Sequence, residues 1–245
     1  MTPTSVSKSD LDLLRAYDTP TICNVIELFS IRPRQAGYLD SRIRACFPEM
    51  PPLVGFASTA TFRSAAPPRQ GSVYASLDCQ VAAFADCPPP PVVVFQDLDD
   101  PAAGATFGEV MCSTYQSFGA VGLLTSGAAR DLDQVRRIGF PCFSNGAICS
   151  HGYAHFVDLN IPVRVGGVTI SPGDLLHGDA NGVTTIPPEI ASAVAHACAE
   201  YMAAEQVVLD YCRSEQLTPA GFSEARAECA RRIAALSDRV RARGR

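Results

Sequence analysis

Apolar and polar positions alternate with different periods along the chain, and each period predicts a different element. The central region predicts buried strands separated by helices, with the strands at 53–63, 92–96, 121–125 and 142–143 and the helices at 107–118 and 131–138. A closely spaced strand series follows over 163–186, with a turn at Pro172–Gly173. Strands that alternate with helices indicate parallel pairing, whereas the later series indicates antiparallel pairing. We therefore expect an α/β fold with a mixed sheet.

Further helices are predicted on both sides of this region. Ser9 or Asp10 is expected to cap a first helix, and Thr19 with Pro20 to begin a second. The pattern also predicts a helix at 72–85, a long helix at 188–213 and a last helix capped by Ser223. We predict a single domain over residues 1–245, with a flexible segment at 1–9 and C-terminal helices at 188–245.

Composition and charge narrow the class of protein. The chain has 245 residues, 47% of them hydrophobic, and a formal net charge of -5. This balance argues against nucleic acid as a primary partner. No apolar run approaches membrane-spanning length and the start lacks an apolar signal core, so we expect a cytoplasmic protein without a membrane partner. The ten cysteines form no Cys-x-x-Cys pair. We expect reduced core thiols, including Cys112, Cys142, Cys149 and Cys198.

A single lysine, Lys8, limits the possible chemistry. A Schiff-base aldolase or a pyridoxal phosphate enzyme needs a lysine in a buried pocket, and a phosphate-binding loop needs one after its glycines. Lys8 lies in a polar N-terminal segment and suits neither role. If the chain cleaves a carbon–carbon bond next to a carbonyl, a metal ion must therefore accept the electrons.

The strongest candidate site residues are Arg130 and Asp131. The small-residue turn at 126–129 follows the strand at 121–125 and places this pair at the strand's end. An arginine presents a planar fork to a carboxylate or enolate oxygen, and an aspartate is a hard ligand for a divalent cation. The pair suits a 2-oxo acid site, although a surface ion pair that closes a turn has the same residue types.

Two other segments have both a functional and a structural interpretation. Residues 108–111 enter a helix, where free backbone N–H groups favour an anion. The alternative is an ordinary helix start with Thr106 as its cap and Glu109 as the capping-box acid. Asp97 ends a strand on the expected pocket side, but the acidic run 97–100 is also typical of a solvated turn.

An ordered set of motifs resembles the RraA-like family. The signature consists of Gly-Ala-Ala-Arg-Asp at 127–131, followed by Gly-Phe-Pro-Cys-Phe-Ser at 139–144. Further matches occur in the expected order at 19–24, 54–61, 107–111, 172–174, 178–183 and 187. The sequence departs from the family pattern at Asn24, Ser126 and Asn181, which affects substrate identity more than the Arg-Asp pair. Because the matches are ordered, the set is more specific than any one motif.

The resemblance implies a fold, an assembly and a role for each matching residue. It implies an RraA-like αββα sandwich that forms a homotrimer or a hexamer, with sites between subunits. The backbone amides of Gly108, Glu109, Val110 and Met111 would bind the carboxylate of a 2-oxo acid, and Glu109 would orient a metal-coordinated water. Arg130 would pair with the substrate oxygens, and Asp131 would ligate Mg²⁺ or Mn²⁺. Glu205, or alternatively Glu200, would reach the site of a neighbouring subunit.

The family includes divalent-metal-dependent 4-hydroxy-4-methyl-2-oxoglutarate and 4-carboxy-4-hydroxy-2-oxoadipate aldolases, together with RraA regulators of ribonuclease E. The resemblance therefore implies a metal-dependent aldolase that cleaves 4-hydroxy-2-oxo dicarboxylic acids to pyruvate and a second oxo acid. Oxaloacetate decarboxylation would be a second activity. The alternatives are a protein-binding regulator, or a family lyase or hydrolase that acts on another oxo acid.

Overall fold

The structure is a computed structural model that describes residues 6–69, 71 and 76–243. These residues form two compact units, one within residues 35–187 and the other made of residues 6–34 with 188–243. The helices are α1 (Lys8–Leu14), α2 (Thr19–Phe29), α3 (Leu77–Ala82), α4 (Glu109–Ser117), α5 (Leu132–Arg137), α6 (Ala191–Cys212) and α7 (Pro219–Arg243). Single-turn 3-10 helices occupy Ala83–Asp86 and Pro188–Ile190.

Among the described residues, every strand lies in the unit within residues 35–187. They are β1 (Arg44–Ala45), β2 (Leu53–Arg63), β3 (Pro91–Asp97), β4 (Ala105–Phe107), β5 (Leu123–Thr125), β6 (Ala128–Ala129), β7 (Cys142–Ser144), β8 (His155–Leu159), β9 (Val163–Val165), β10 (Val168–Ile170), β11 (Leu175–Asp179) and β12 (Gly182–Ile186). The main sheet has the order β1-β7-β5-β3-β2-β11-β12, and β8 pairs with β2 beside β11. Two small sheets pair β9 with β10 and β4 with β6.

The main sheet is mixed, as the sequence predicts. Its centre, β7-β5-β3-β2, is parallel, whereas β1, β8, β11 and β12 pair in antiparallel fashion. Alternate residues of β3 enter the two cores of the unit. Val93 and Phe95 pack in one core with Phe62 and Tyr115, while Val92 and Val94 pack in the other. Because both faces of the parallel centre are covered, its strands are continuous apolar runs.

The second unit is helical, and α6 packs against α1, α2 and α7. The helix α1 begins with a capping box, since Ser7 Oγ accepts the Asp10 N–H and Asp10 Oδ2 accepts the Ser7 N–H. Asp18 caps α2 by accepting the Thr21 N–H at 2.9 Å. These caps lie one to three residues before the predicted ones. Residues 8 and 9, expected to be flexible, are helical.

Other predicted helices also differ at their ends. Residues 105–107 form β4, so the helix predicted from 107 begins at Glu109, and α7 begins at Pro219 before the predicted cap Ser223. The predicted helix at 72–85 corresponds to α3 and the 3-10 turn after it, while residues 72–75 fall outside the described residues. The single-domain prediction stays a prediction. Within the described part of the chain, no helix is both long and apolar enough to cross a membrane.

Asp97 is buried at the end of β3 and does not form the solvated turn that its sequence context favours. The residue is 8% exposed. Its Oδ1 accepts the Asp99 N–H at 3.0 Å, while its Oδ2 has no hydrogen-bond partner among the described residues. Burial raises the pKa of Asp97 to about 6, the Asp99 N–H opposes this change, and the negative charge of Asp99 adds to it.

The charge of Asp97 should make stability depend on pH. A folded-state pKa of about 6 lies above the ordinary 3.8, so folding favours the protonated acid and wild-type stability falls as pH rises through 6. We expect Asp97→Asn to be more stable than wild type by about 1–2 kcal/mol at pH 8. The difference should vanish near pH 4. Urea midpoints at pH 4, 6 and 8 measure it, with the exposed Asp86→Asn as a control. A pH-independent difference would contradict the assignment.

Candidate functional site

The candidate site lies beyond the carboxyl ends of the parallel strands, where ligands bind in open α/β sheets. After β5 the chain turns at 126–127 and runs through β6, which pairs in parallel with β4. The strand β4 leads into α4, and β6 leads to Arg130. The Arg130 N–H donates to the Phe107 carbonyl at 3.2 Å, which fixes the two segments beside each other. The paired strands therefore bring the two predicted site segments together.

The carboxylate of Asp131 contacts the first turn of α4. Its Oδ2 accepts the Glu109 backbone N–H at 3.0 Å. A Cβ atom at Gly108 would lie 2.4 Å from that oxygen and 3.0 Å from Arg130 Nε. The first distance is shorter than real Cβ contacts and the second is tighter than most of them, so a side chain at position 108 would force the Asp131 carboxylate to move.

The side chains of Arg130 and Asp131 are only about one-third exposed. Arg130 Nε lies 3.8 Å from Asp131 Oδ2, with side-chain exposures of 29% and 34%. Among the described residues, Arg130 Nε is a buried donor without a hydrogen-bond partner. An unpaired buried donor costs free energy unless a ligand satisfies it. Asp131 also has a positive φ of 55°, an uncommon conformation for aspartate. The arrangement can accept an anionic oxygen at the guanidinium and a cation at the carboxylate.

The start of α4 does not have Thr106 as its cap, which was the structural alternative that the sequence offered. Thr106 Oγ1 donates to Thr125 Oγ1 and to the Ala128 carbonyl, and Gly108 is the N-cap residue. The first intrahelical bond is made by the Cys112 N–H to the Gly108 carbonyl. The N–H groups of Val110 and Met111 therefore precede the hydrogen-bonded part of the helix and are placed to bind an anion.

The side chains at the start of α4 have different surroundings from one another. That of Met111 is buried in the core, so only its backbone can serve the site. Those of Glu109 and Val110 are exposed. The exposed Glu109 carboxylate is therefore accessible to water or a ligand beside Asp131.

A cavity of about 580 Å³ adjoins the Arg-Asp pair. Residues 129–134 form one part of its lining and residues 147–149 another. The second segment is fixed against β6, since the Ala129 N–H donates to the Gly146 carbonyl and the Ile148 N–H to the Ala129 carbonyl, both at 2.9 Å. Sequence reasoning missed Gln134 and Cys149 in this lining. Spacing could have indicated Gln134, because it lies three residues after Asp131 on a helix.

The cysteines are all free thiols, as predicted. Cys112, Cys142 and Cys198 are buried, but Cys149 is exposed in the cavity lining. The expectation of a core position was wrong for the exposed Cys79, Cys149 and Cys212. Cys149 is exposed because its segment pairs beside β6 at the surface.

Glu200 and Glu205 lie on α6, in the helical unit. Glu200 forms an ion pair with Arg239 of α7. Glu205 is partly buried and has no ion pair among the described residues. Burial, followed by the negative charge of Glu205, raises the pKa of Tyr201 to about 12. Of the two glutamates, Glu205 is the one whose charge is not already neutralised by an arginine.

Comparison of the sequence with known protein families gives a match over most of the chain. Residues 19–185 match the RraA-like family, described as Aldolase/RraA. The chain belongs to the RraA-like family. A Halalkalibacterium halodurans protein named "Putative 4-hydroxy-4-methyl-2-oxoglutarate aldolase" is 34% identical over 96 residues, which cover 39% of this chain and 46% of that protein. The chain thus spans about half the length of this curated relative.

Solved structures of similar fold agree with the RraA-like assignment. An uncharacterized protein from Pseudomonas syringae pv. tomato has a TM-score of 0.72 at 23% identity, covering 93% of this chain and 97% of that one. Streptomyces coelicolor RraAS2, an unusual member of the RNase ES inhibitor RraA family, has a TM-score of 0.64 at 22% identity, with coverages of 82% and 97%. The predicted α/β fold class with a mixed sheet is confirmed.

The close contact at Gly108 can be tested by adding one methyl group. Gly108→Ala should force the Asp131 carboxylate and Arg130 away from α4, because the new Cβ would overlap Asp131 Oδ2. We expect a loss of about 1–3 kcal/mol in the free energy of unfolding. Urea denaturation measures it. Ser113→Ala, in the same helix, is the control, and equal stability of the two variants would refute the contact.

Proposed function

We propose that this RraA-like protein is a divalent-metal-dependent carbon–carbon lyase that cleaves 4-hydroxy-2-oxo acids to pyruvate and a second carbonyl compound. One observation carries the proposal. Two paired strands bring the Asp131 carboxylate, the unpartnered Arg130 Nε and the first amides of α4 to one point. The aldolase name of the Halalkalibacterium relative supports the same class of reaction.

The residues present fit Mg²⁺ or Mn²⁺. Mg²⁺ is commonly held by one or two carboxylates together with waters and substrate oxygens. Asp131 offers one partly exposed carboxylate, and only its Oδ2 is engaged in a hydrogen bond among the described residues. When bound, the metal ion would act as a Lewis acid that accepts electron density from the 2-oxo group. Asp131 is the residue that would hold it.

The other site residues would bind the substrate, stabilise the negative charge that develops on it and accept its hydroxyl proton. The Val110 and Met111 amides would bind the C1 carboxylate at the start of α4. Arg130 would stabilise the negative charge that develops on the 2-oxo oxygen as the C3–C4 bond breaks. Glu109 would accept the C4 hydroxyl proton through a water molecule. Loss of carbon dioxide from oxaloacetate places negative charge on the same oxygen, so decarboxylation would be a second activity.

The proposal includes an assembly in which a neighbouring subunit completes each site. The resemblance implies a homotrimer or a hexamer, with Glu205 reaching the neighbouring site. The lack of an ion pair on Glu205 among the described residues, in contrast to Glu200, supports this choice. Closed symmetric assembly would repeat the same contact at every interface.

Removing either member of the pair should abolish catalysis. Asp131→Ala and Arg130→Ala should each lower the rate of pyruvate release by at least about a hundredfold, the usual scale for losing a group that stabilises developing charge. Asp131→Ala should also weaken Mn²⁺ binding. EDTA should stop the wild-type enzyme, and added Mg²⁺ should restore it. Pyruvate release from 4-hydroxy-2-oxo acids and oxaloacetate, with calorimetric titration of Mn²⁺, measures these effects.

Asp86→Ala, at an exposed carboxylate of the 3-10 turn, is the matched control and should keep wild-type activity. Activity that survives thorough chelation would refute the metal-dependent mechanism. Wild-type protein without lyase activity on any of these acids would instead favour a regulatory role of the RraA type.

Mixed oligomers test the contribution of Glu205. Asp131→Ala and Glu205→Ala proteins should both be inactive, yet a mixture unfolded and refolded together should recover activity. If each site draws on two chains of a closed ring, random mixing leaves roughly one interface in four intact. Glu200→Ala is the control and should retain activity by itself. Mixed oligomers without recovery would place Glu205 outside the neighbouring site.

A further inference from the structure

The carboxyl group of Asp97 packs against the turn that leads to Arg130 and Asp131. Its Oδ2 lies so close to Gly127 that a Cβ atom there would be 2.5 Å from it. The Asp97 N–H donates to Ser126 Oγ at 2.9 Å. The strand β6 follows this turn, and the Arg-Asp pair follows β6 directly. A displacement of the Asp97 carboxyl group would therefore shift the segment that presents both site residues.

Hydrogen bonds on its other sides couple this turn to the main sheet. The Ser126 N–H donates to the Phe95 carbonyl at 3.0 Å, and the Gly127 carbonyl accepts the Asn145 N–H at 2.8 Å. The Gly127 N–H donates to Thr125 Oγ1 at 2.9 Å. These bonds connect the turn to β3, to β5 and to the residue after β7. Buried and fully paired backbone groups allow little local adjustment, so the turn and the Asp97 carboxyl group must fit each other closely.

The observed packing suits the neutral acid of Asp97 better than the carboxylate. Its Oδ2 is buried and has no hydrogen-bond donor among the described residues. Burial raises the pKa of Asp97 to about 6, the charges of Asp99 and Asp100 add to this change, and that of Arg63 opposes it. Arg63 Nε lies 3.6 Å from Asp99 Oδ1, so its charge is shared with another carboxylate. The other groups packed against Asp97 carry no charge: Thr106, Ser126 and Gly127.

We infer that Asp97 is a positioning residue for Arg130 and Asp131: its neutral acid keeps the turn where the pair can bind metal ion and substrate, and its ionisation displaces the turn. Asp97 does not touch the ligand and acts through Ser126 and Gly127. An ionised Oδ2 without a donor is costly to bury, so it would move toward water, and the glycine packed on it would move as well. The inference rests on the proposed function, because it assigns the ligand to this pair.

Proton binding at Asp97 and ligand binding at the pair should then be coupled. A ligand that needs the turn in place favours the neutral acid and raises the pKa of Asp97 above its value of about 6 in the free protein. The wild-type protein should therefore take up a fraction of a proton on binding at pH 6.5, and its affinity should fall as pH rises above 6. Deprotonation of a metal ligand would have the opposite sign, because it releases protons.

Calorimetric titration with Mn²⁺ in the presence of pyruvate, in two buffers of different ionisation enthalpy, measures the proton uptake. Wild type should take up protons at pH 6.5, whereas Asp97→Asn, which keeps the shape of the neutral acid, should take up none. From pH 5.5 to 7.5 the affinity of wild type should fall at least about fivefold, and that of Asp97→Asn much less. Thermal melting confirms that each variant is folded.

Ser126→Ala is the matched control at the same turn. It removes the hydroxyl that accepts the Asp97 N–H but leaves the titrating carboxyl group in place. We expect weaker binding at both pH values, with the proton uptake retained. A purely structural role of Asp97 would instead make the two variants behave alike, with lower affinity at every pH.

Hydrogen exchange tests the displacement without any ligand. At pD 8 the amides of residues 128–130 should exchange at least about fivefold faster in wild type than in Asp97→Asn, through local opening. At pD 5 the two proteins should exchange alike, because Asp97 is then neutral in wild type too. The peptide 163–170, which contains β9 and β10, is the internal reference. The difference at 128–130 should exceed any difference there.

The two measurements separate failure of the inference from failure of the proposed function. Equal exchange of residues 128–130 in both proteins at pD 8 would overturn the inference, whatever the binding data are. Equal proton uptake by wild type and Asp97→Asn would also overturn it. The expected exchange difference, together with no binding of Mn²⁺ or pyruvate at any pH, would overturn the proposed function and leave the control of the turn by Asp97 supported.

Discussion

The candidate site depends on the approach of the Asp131 carboxylate to the first turn of α4. One hydrogen bond of 3.0 Å, from the Glu109 N–H to Asp131 Oδ2, joins the segment after β6 to the segment after β4. A Cβ atom at Gly108 would overlap this carboxylate oxygen where it now lies. It places Arg130 within 3.8 Å of the same carboxylate oxygen and leaves the guanidinium Nε without a hydrogen-bond partner among the described residues. A carboxylate, a guanidinium and the amides at the start of a helix thus become neighbours through one close packing contact.

Buried polar contacts at the ends of the strands stabilise the segment that carries Arg130 and Asp131. Gly127 begins the turn before β6, and a Cβ there would lie 2.5 Å from Asp97 Oδ2 and 2.6 Å from Thr106 Cγ2. Ser126 Oγ accepts the Asp97 N–H, and Thr106 Oγ1 donates to the Ala128 carbonyl. The segment that presents Arg130 is therefore held by buried polar groups as well as by strand pairing. Such groups are costly to bury and allow little displacement once they are paired.

The sequence predicted the elements better than the contacts. Apolar runs such as 53–63 and 92–96 identify buried strands, because both faces of a parallel sheet are covered. Local spacing placed Arg130 and Asp131 after the strand at 121–125 and a turn at 126–129, whereas residues 128–129 form β6 and the pair follows that strand. Asp97 could not be predicted as buried, because its environment depends on Gly127 and Thr106, which are distant in sequence. The lining of the cavity by Cys149 likewise depends on the pairing of β6 with residues 146–148. Two helix starts moved by one to three residues, because Ser7 and Asp18 are the caps in place of the expected ones.

The charges of the pair constrain how the proposed cofactor and substrate would bind. One carboxylate at Asp131 cannot balance a divalent cation, and the guanidinium of Arg130 adds a further positive charge 3.8 Å away. The carboxylate of a 2-oxo acid supplies the missing negative charge and can share oxygens with the cation. Cation and substrate would then each raise the affinity for the other, and by linkage the two effects are equal.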